Sequence, residues 1–208
     1  FDRITRPEQI LSTLPQSIQI MLDQADCGPA TISISQDVQG EAFDCPKVFF
    51  EEEVHEIRRV HPDQNQIEKA VDVIKKSKQP IIISGGGVLY SEAENELSVF
   101  AKKHNIPVTT TAMGIGCMDR DDPYNIGPIG GLGVGSANSL SKDTDLVISI
   151  GTKLSDFTTG SWSNFHNPDF KLVSLNTARF DVTKHRATPI VSDAKIGLNE
   201  ISKSLGDW

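Results

Sequence analysis

The apolar and polar positions of this chain alternate in a rhythm of strands and helices over most of its length. Ile10, Leu14, Ile18 and Met21 are spaced four, four and three apart, which puts them on one face of a helix. After the Gly28-Pro29 turn, "ATISIS" at 30–35 alternates as a strand does, and Asp37 and Gly40 close it. The chain is therefore expected to open inside a helix. One helix and one strand cannot bury both faces of a sheet, so residues 1–45 read as the last helix-and-strand unit of a larger domain. On that reading the 208 residues are a middle piece of a longer polypeptide.

Residues 46–65, "PKVFFEEEVHEIRRVHPDQN", lose this periodicity and read as a surface linker whose His55, Arg58, Arg59 and His61 are solvated. From Gln66 the pattern is regular. Ile67, Ala70, Val71 and Ile74 form a helical stripe, with Asp63 and Gln66 spaced for a capping box. Residues 81–84 are apolar on both faces, as a parallel strand covered by helices requires. Ser91 and Glu94 have the spacing of a second capping box, leading into Leu97, Phe100 and Ala101. "IPVTT" at 106–110, "TDLVISIG" at 144–151, "KLVSLN" at 171–176 and "TPIVSD" at 188–193 predict four more strands. Ala194, Leu198, Ile201 and Leu205 make a last helix behind an Asp193 cap. The expectation for 66–208 is an α/β fold: a Rossmann-like, mostly parallel sheet flanked by helices, with right-handed crossovers.

Composition narrows the partners. With 28 acidic and 20 basic side chains the net charge is −8, which opposes binding to a nucleic-acid backbone. No apolar run approaches the roughly 20 residues that span a bilayer, and no leader pattern opens the chain, so a cytoplasmic protein is expected. Cys27, Cys45 and Cys117 are far apart without a C-x-x-C pair. They read as buried, inert thiols rather than as disulfide or zinc ligands.

Two glycine clusters carry the candidate chemistry. "SGGGVLY" follows a strand, but from Gly85 the sixth position is Tyr90, where a dinucleotide fingerprint needs glycine. The phosphate loop G-x-x-x-x-G-K-[ST] is absent as well. Gly85, Gly86 and Gly87 then have two readings: an anion seat beside a helix start, or a tight turn that lets a helix pack closely. The second cluster, Gly127 to Gly135, and the long loop from Gly151 to Asn167 are expected at the same carboxyl edge of the sheet. Loops of that length bind a ligand or cover a surface. His166, His185, Trp162 and Phe165 are expected to pack rather than catalyse.

The segments "GPATISISQDVQ", "QPIIISGGG", "NIGPIGGLGVGSAN", "DLVISIGTKLSDFTTGSW" and "FDVTKHRATPIVSDAK" together resemble thiamine diphosphate enzymes related to acetohydroxyacid synthase, over nearly the whole chain. Gln36, "DFTTGSW" and "FDVTKHRATPIV" resemble the inositol-catabolism branch, whose members hydrolyse a ring carbon–carbon bond of a cyclic dione to give 5-deoxy-D-glucuronate. "TTAMGIGCMDRDD" at 110–122 departs from the family pattern.

The resemblance implies the end of a pyrimidine-binding domain at 1–45, a linker at 46–65 and the central domain at 66–208. It implies thiamine diphosphate and Mg²⁺ for the whole enzyme, a homo-oligomer, and the remaining domains of the same chain as partners. The activating glutamate and the G-D-G…N metal motif of such enzymes are not in this sequence; Gly206-Asp207 is followed by Trp208. No residue here is therefore expected to be catalytic or to bind metal, and no cofactor is expected on this piece. Some relatives hold FAD in the central domain. The residues that would form such a nucleotide-type pocket are Gly85, Gly86, Gly87, Gly151, Thr152, Lys153 and Asp181. Lys153 stands where FAD-binding relatives carry arginine, whose planar fork lysine lacks, and an empty, structural pocket is expected. The alternatives are a synthase or acetyltransferase of the same family, and an FAD- or NAD-binding module.

Overall fold

A computed structural model describes all residues, 1–208. The chain divides into two compact units, Phe1–Arg58 and Arg59–Trp208.

The first unit contains β1 (Asp2–Ile4), α1 (Ile10–Leu22), β2 (Ile32–Ile34) and the short α2 (Gln36–Gln39). β1 and β2 pair in parallel, with Asp2 opposite Ile32. The chain therefore opens with a strand, contrary to the expectation of a helix. Three residues are too few to show alternation in a sequence. The helix also turns a different face inward: its buried residues are Thr13 and Ser17, while Ile20 and Met21 stay about half exposed. The two buried side chains are hydroxyls with partners. Thr13 Oγ1 donates to Asp2 Oδ2 at 2.6 Å and Ser17 Oγ to the Thr13 carbonyl at 2.8 Å. The Thr13 hydroxyl, followed by the Arg3 amide, holds the Asp2 carboxyl below its usual range.

The second unit begins with α3 (Gln64–Ile74), β3 (Pro80–Ser84), α4 (Gly86–Tyr90), α5 (Glu94–Lys103), β4 (Val108–Thr110) and β5 (Asn125–Pro128). It continues with α6 (Gly135–Leu140), β6 (Leu146–Ile150), α7 (Asp156–Thr159), β7 (Lys171–Asn176), α8 (Arg179–Val182), β8 (Thr188–Val191) and α9 (Ala194–Leu205). The six strands form one sheet in the order β5-β4-β3-β6-β7-β8, and every pairing is parallel. β5 lies inside a stretch that the sequence presents only as glycine-rich. Its pairing slips beside Val108 and Thr109, and Gly127 takes φ +98°, so no regular alternation marks it.

The central strands alternate with period two. Ile82, Leu146, Ile148, Val173 and Leu175 point to one face, where Ile67, Ile74, Leu97, Phe100, Leu198 and Ile201 cover them. Ile81, Ile83, Val147 and Leu172 point to the other. Each such buried aliphatic side chain stabilises the fold by about 1.5–3 kcal/mol. The second face has little helix over it. Trp162, Phe165 and Phe170 lie against it instead, stacked on one another with ring centroids 5.0–6.3 Å apart. His185 packs on Trp162 at 4.4 Å.

Several local expectations need correction. Asp63 caps α3 by accepting from the amides of Asn65 and Gln66, but no capping box forms, because Gln66 Oε1 accepts from the Val191 amide of β8 at 2.9 Å. The second box fails too: the helix breaks in two, α5 starts after Ala93 without a side-chain cap, and the Ser91 hydroxyl accepts from Ala194 N at 3.2 Å. Of the three cysteines only Cys117 is buried, while Cys27 is exposed and Cys45 half-buried. Burial pushes the Cys117 thiol up.

Arg59 is not a solvated linker charge. Its Nη1 donates to Asp193 Oδ2 at 2.9 Å and to the Ser91 carbonyl at 2.7 Å. The Asp193 side chain is 0% exposed and that of Arg59 34%, and Asp193 also caps α9 through the amides of Lys195 and Ile196. Removing one partner of a buried pair strands a charge, a loss moderated here by the water that reaches Arg59. Arg59→Ala is expected to lower stability by about 2 kcal/mol, read as a lower urea midpoint with an unchanged slope.

Candidate functional site

β3 and β6 are neighbours at the middle of the sheet, and the winding reverses between them. In open α/β sheets the crevice at the carboxyl ends of such a strand pair is where ligands bind. The residues singled out as a nucleotide-type pocket, 85–87 and 151–153, leave the sheet at this point.

The two loops are locked together. Gly85 N donates to the Ile150 carbonyl at 2.8 Å, Gly87 N to the Gly151 carbonyl at 3.0 Å, and Gly151 N to the Leu175 carbonyl of β7 at 2.8 Å. A Cβ on Gly85 would lie 2.4 Å from the Gly151 oxygen and 2.6 Å from Thr152 Cβ. One on Gly87 would lie 2.6 Å from Gly151 Cα, and Gly151 itself has φ +60°. These glycines let two backbones touch. An anion seat needs amides pointing freely at the ligand; here Gly85 and Gly87 spend theirs on carbonyls of the neighbouring loop. α4, which follows, is only five residues long.

The remaining candidates do not converge on this point. Gly86 faces Met113, whose carbonyl would stand 3.2 Å from an added Cβ. Lys153 is exposed. Asp181 lies on α8, beyond β7, with its carboxylate 2.5 Å from Lys184 Nζ. That ammonium also sits 4.6 Å from the Phe180 ring centroid. A ribose would have to displace this pair. No group of three or more His, Cys, Asp or Glu side chains is arranged to hold a metal ion. The residues present therefore do not fit a dinucleotide, or the metal and diphosphate of a thiamine cofactor.

The amino ends of β3 and β6 are joined as well. Asp145, just before β6, accepts from the Ser77 hydroxyl and from the amides of Lys78 at 2.7 Å and Gln79 at 3.0 Å. Burial pushes the Asp145 carboxyl up, but the donors of Ser77, Lys78 and Gln79 outweigh it and hold the group below its ordinary range.

A third lock was not legible in the sequence. Asn138 Oδ1 accepts from Gly130 N at 2.9 Å and from Asn164 Nδ2 at 3.2 Å, while Asn138 Nδ2 donates to the Gly130 carbonyl at 3.0 Å. Gly130 has φ +97°, and a Cβ there would meet the Phe157 carbonyl at 2.0 Å. The second glycine cluster is thereby fastened to the loop after β6, on the edge where both were expected. An asparagine in "GSAN" gives no sign of partners so far along the chain.

Gly87→Ala is expected to destabilise the fold by about 2–3 kcal/mol, because backbone has to move to admit the methyl group. Gly135, the first residue of α6, meets nothing within 4 Å. Gly135→Ala is expected to be neutral or to stabilise by up to about 1 kcal/mol. Equal effects of the two substitutions in urea unfolding would contradict the interlock.

Comparison with known proteins agrees with this architecture. Residues 67–201 match the family described as thiamine pyrophosphate enzyme, central domain. The chain is 42% identical to 3D-(3,5/4)-trihydroxycyclohexane-1,2-dione hydrolase of Clostridium tetani, over 99% of this chain and 32% of that protein. The hydrolase of the same name from Halalkalibacterium halodurans is 45% identical over the same shares, and that of Geobacillus thermodenitrificans 40% identical over 100% and 32%. The chain thus spans about a third of the length of these curated relatives. Among solved structures, benzoylformate decarboxylase from Polynucleobacter necessarius superposes with a TM-score of 0.77 at 21% identity, covering 99% of this chain and 38% of that one. A putative thiamin diphosphate-dependent enzyme from Mycobacterium smegmatis gives 0.77 at 19% identity, covering 99% and 39%. At such identities the likeness concerns the fold, while the family match rests on sequence along most of the second unit. The chain belongs to the thiamine pyrophosphate enzyme family, of which it carries the central domain.

Proposed function

We propose that this chain is the central, structural portion of a longer cytoplasmic hydrolase of inositol catabolism. That enzyme uses thiamine diphosphate and Mg²⁺, assembles as a homo-oligomer, and opens the ring of trihydroxycyclohexane-1,2-dione to 5-deoxy-D-glucuronate. The observation that carries this reading is the 40–45% identity, over 99–100% of the chain, to hydrolases bearing that substrate's name. The bound cofactor would supply the electron sink for breaking the carbon–carbon bond, and no step of that chemistry is assigned to residues of this chain.

What these residues do is hold loops. The glycine interlock joins the loops after β3 and β6, the Asn138 bridge fastens the loop after β5, and Trp162, Phe165 and Phe170 seal the thinly covered face of the sheet. Together they give the carboxyl edge one fixed shape.

The test is turnover by the full-length protein with thiamine diphosphate and Mg²⁺, offered the cyclic dione, pyruvate or sulfoacetaldehyde. Release of 5-deoxy-D-glucuronate from the dione alone is expected, with none from the 208-residue chain by itself. Acetolactate formed from pyruvate, or dione opening by the short chain, would refute the proposal. The protein purified without added flavin is expected to carry none through gel filtration.

A further inference from the structure

Six large apolar side chains of the second unit stand in the loops and short helices that leave the carboxyl ends of the strands: Tyr90, Met113, Ile115, Leu132, Phe157 and Phe180. Each is between 64% and 82% exposed. They follow the strand order across the sheet, Leu132 after β5, Met113 and Ile115 after β4, Tyr90 after β3, Phe157 after β6 and Phe180 after β7. Neighbouring members lie close together. The Tyr90 ring and Met113 Cβ both come within 4 Å of the position a Cβ on Gly86 would take. Ile115, Leu132 and Phe157 line one notch of about 150 Å³ together with Pro128 and Ile129.

The opposite edge is built differently. The residues entering the strands there include Lys76, Lys78, Asp145, Asn167 and Asp169 around one cleft, and Leu140, at 40% exposed, is the large apolar side chain bordering that edge. A row of this size at one edge marks an interaction surface rather than scattered surface residues.

We infer that the carboxyl edge is a docking face for a further segment of the same longer polypeptide, one that places an aliphatic or aromatic side chain in the notch between Ile115, Leu132 and Phe157. This rests on the reading of the chain as part of a longer enzyme. Relatives that match 99–100% of the chain continue to about three times its extent, which leaves about twice the length of this chain to supply a covering segment. The interlocked glycines favour protein over nucleotide, because the amides of Gly85, Gly87 and Gly151 are bonded to neighbouring carbonyls. Water is excluded from the middle of such an interface, and a side chain in its notch carries much of the binding.

The full-length protein carrying Cys27→Ser and Cys45→Ser is labelled with maleimide after adding either Leu132→Cys at the notch or Lys171→Cys at the amino edge. Position 132 is expected to react about tenfold more slowly than position 171, at every protein concentration, as the water-excluded centre of an interface requires. Equal rates would overturn the inference. Protection that disappears on dilution would assign the face to a second copy, and protection that appears only with added FAD would assign it to a nucleotide; either result overturns it. If the substituted proteins fail to fold, hydroxyl-radical footprinting of Met113 and Phe157 in the unsubstituted protein gives the same reading. Labelling requires no substrate, so failure of the hydrolase assignment shows as absent dione turnover with the protection pattern intact.

Discussion

The structure depends on the joint between β3 and β6. These strands are almost wholly buried, and each end of the pair is fastened by a different kind of chemistry. At the amino ends one carboxylate, Asp145, gathers a hydroxyl and two amides. At the carboxyl ends two backbones meet where any side chain larger than hydrogen would collide. The carboxylate supplies directional hydrogen bonds, and the glycines supply closeness, which lets Gly87 N and Gly151 O bond directly. A crevice of this kind is ordinarily the binding place of an open α/β sheet. Here the main chain of the two loops meets in it.

The consequences run outward from this joint. Since the loops after β3 and β6 cannot separate without breaking backbone hydrogen bonds, the segments beyond them keep fixed positions. The Asn138 bridge adds the loop after β5 to the same rigid edge, and Asp181 with Lys184 engages the α8 turn after β7. The two sheet faces differ correspondingly. One is covered by α3, α5 and α9, and the other relies on aromatic rings from a loop that takes left-handed backbone at Ser161 and Trp162. Left-handed conformations at bulky residues are costly and persist where surrounding contacts hold them; here the ring stack supplies those contacts.

The fold was legible wherever the sequence speaks through local periodicity. The runs "IIIS" and "LVISI" announced buried parallel strands, Asp63 and Asp193 announced helix starts, and the failure of the glycine fingerprint at Tyr90 fits a turn whose Gly85 and Gly87 amides bond to the neighbouring loop. What stayed hidden was decided by distant partners. Gln66 and Ser91 have capping-box spacing yet bond to Val191 and Ala194, since tertiary donors compete for the same side-chain atoms. Arg59 looks like a linker charge until a buried carboxylate 134 positions away claims it. β1 and β5 are too short or too irregular to alternate. Of the candidate pocket, the meeting of Gly85, Gly87, Gly151 and Thr152 follows from their places at the ends of adjacent strands, whereas the pairing of Asp181 with Lys184 on α8 could not be read from the sequence.

The central claim, that the crevice is closed by paired backbone, is tested most directly by amide hydrogen exchange at Gly85, Gly87 and Gly151 in solution. The account predicts protection as strong as that of the core amides of β3 and β6, unchanged by added inorganic pyrophosphate. Fast exchange at these glycines, or protection that appears only when pyrophosphate is present, would contradict it.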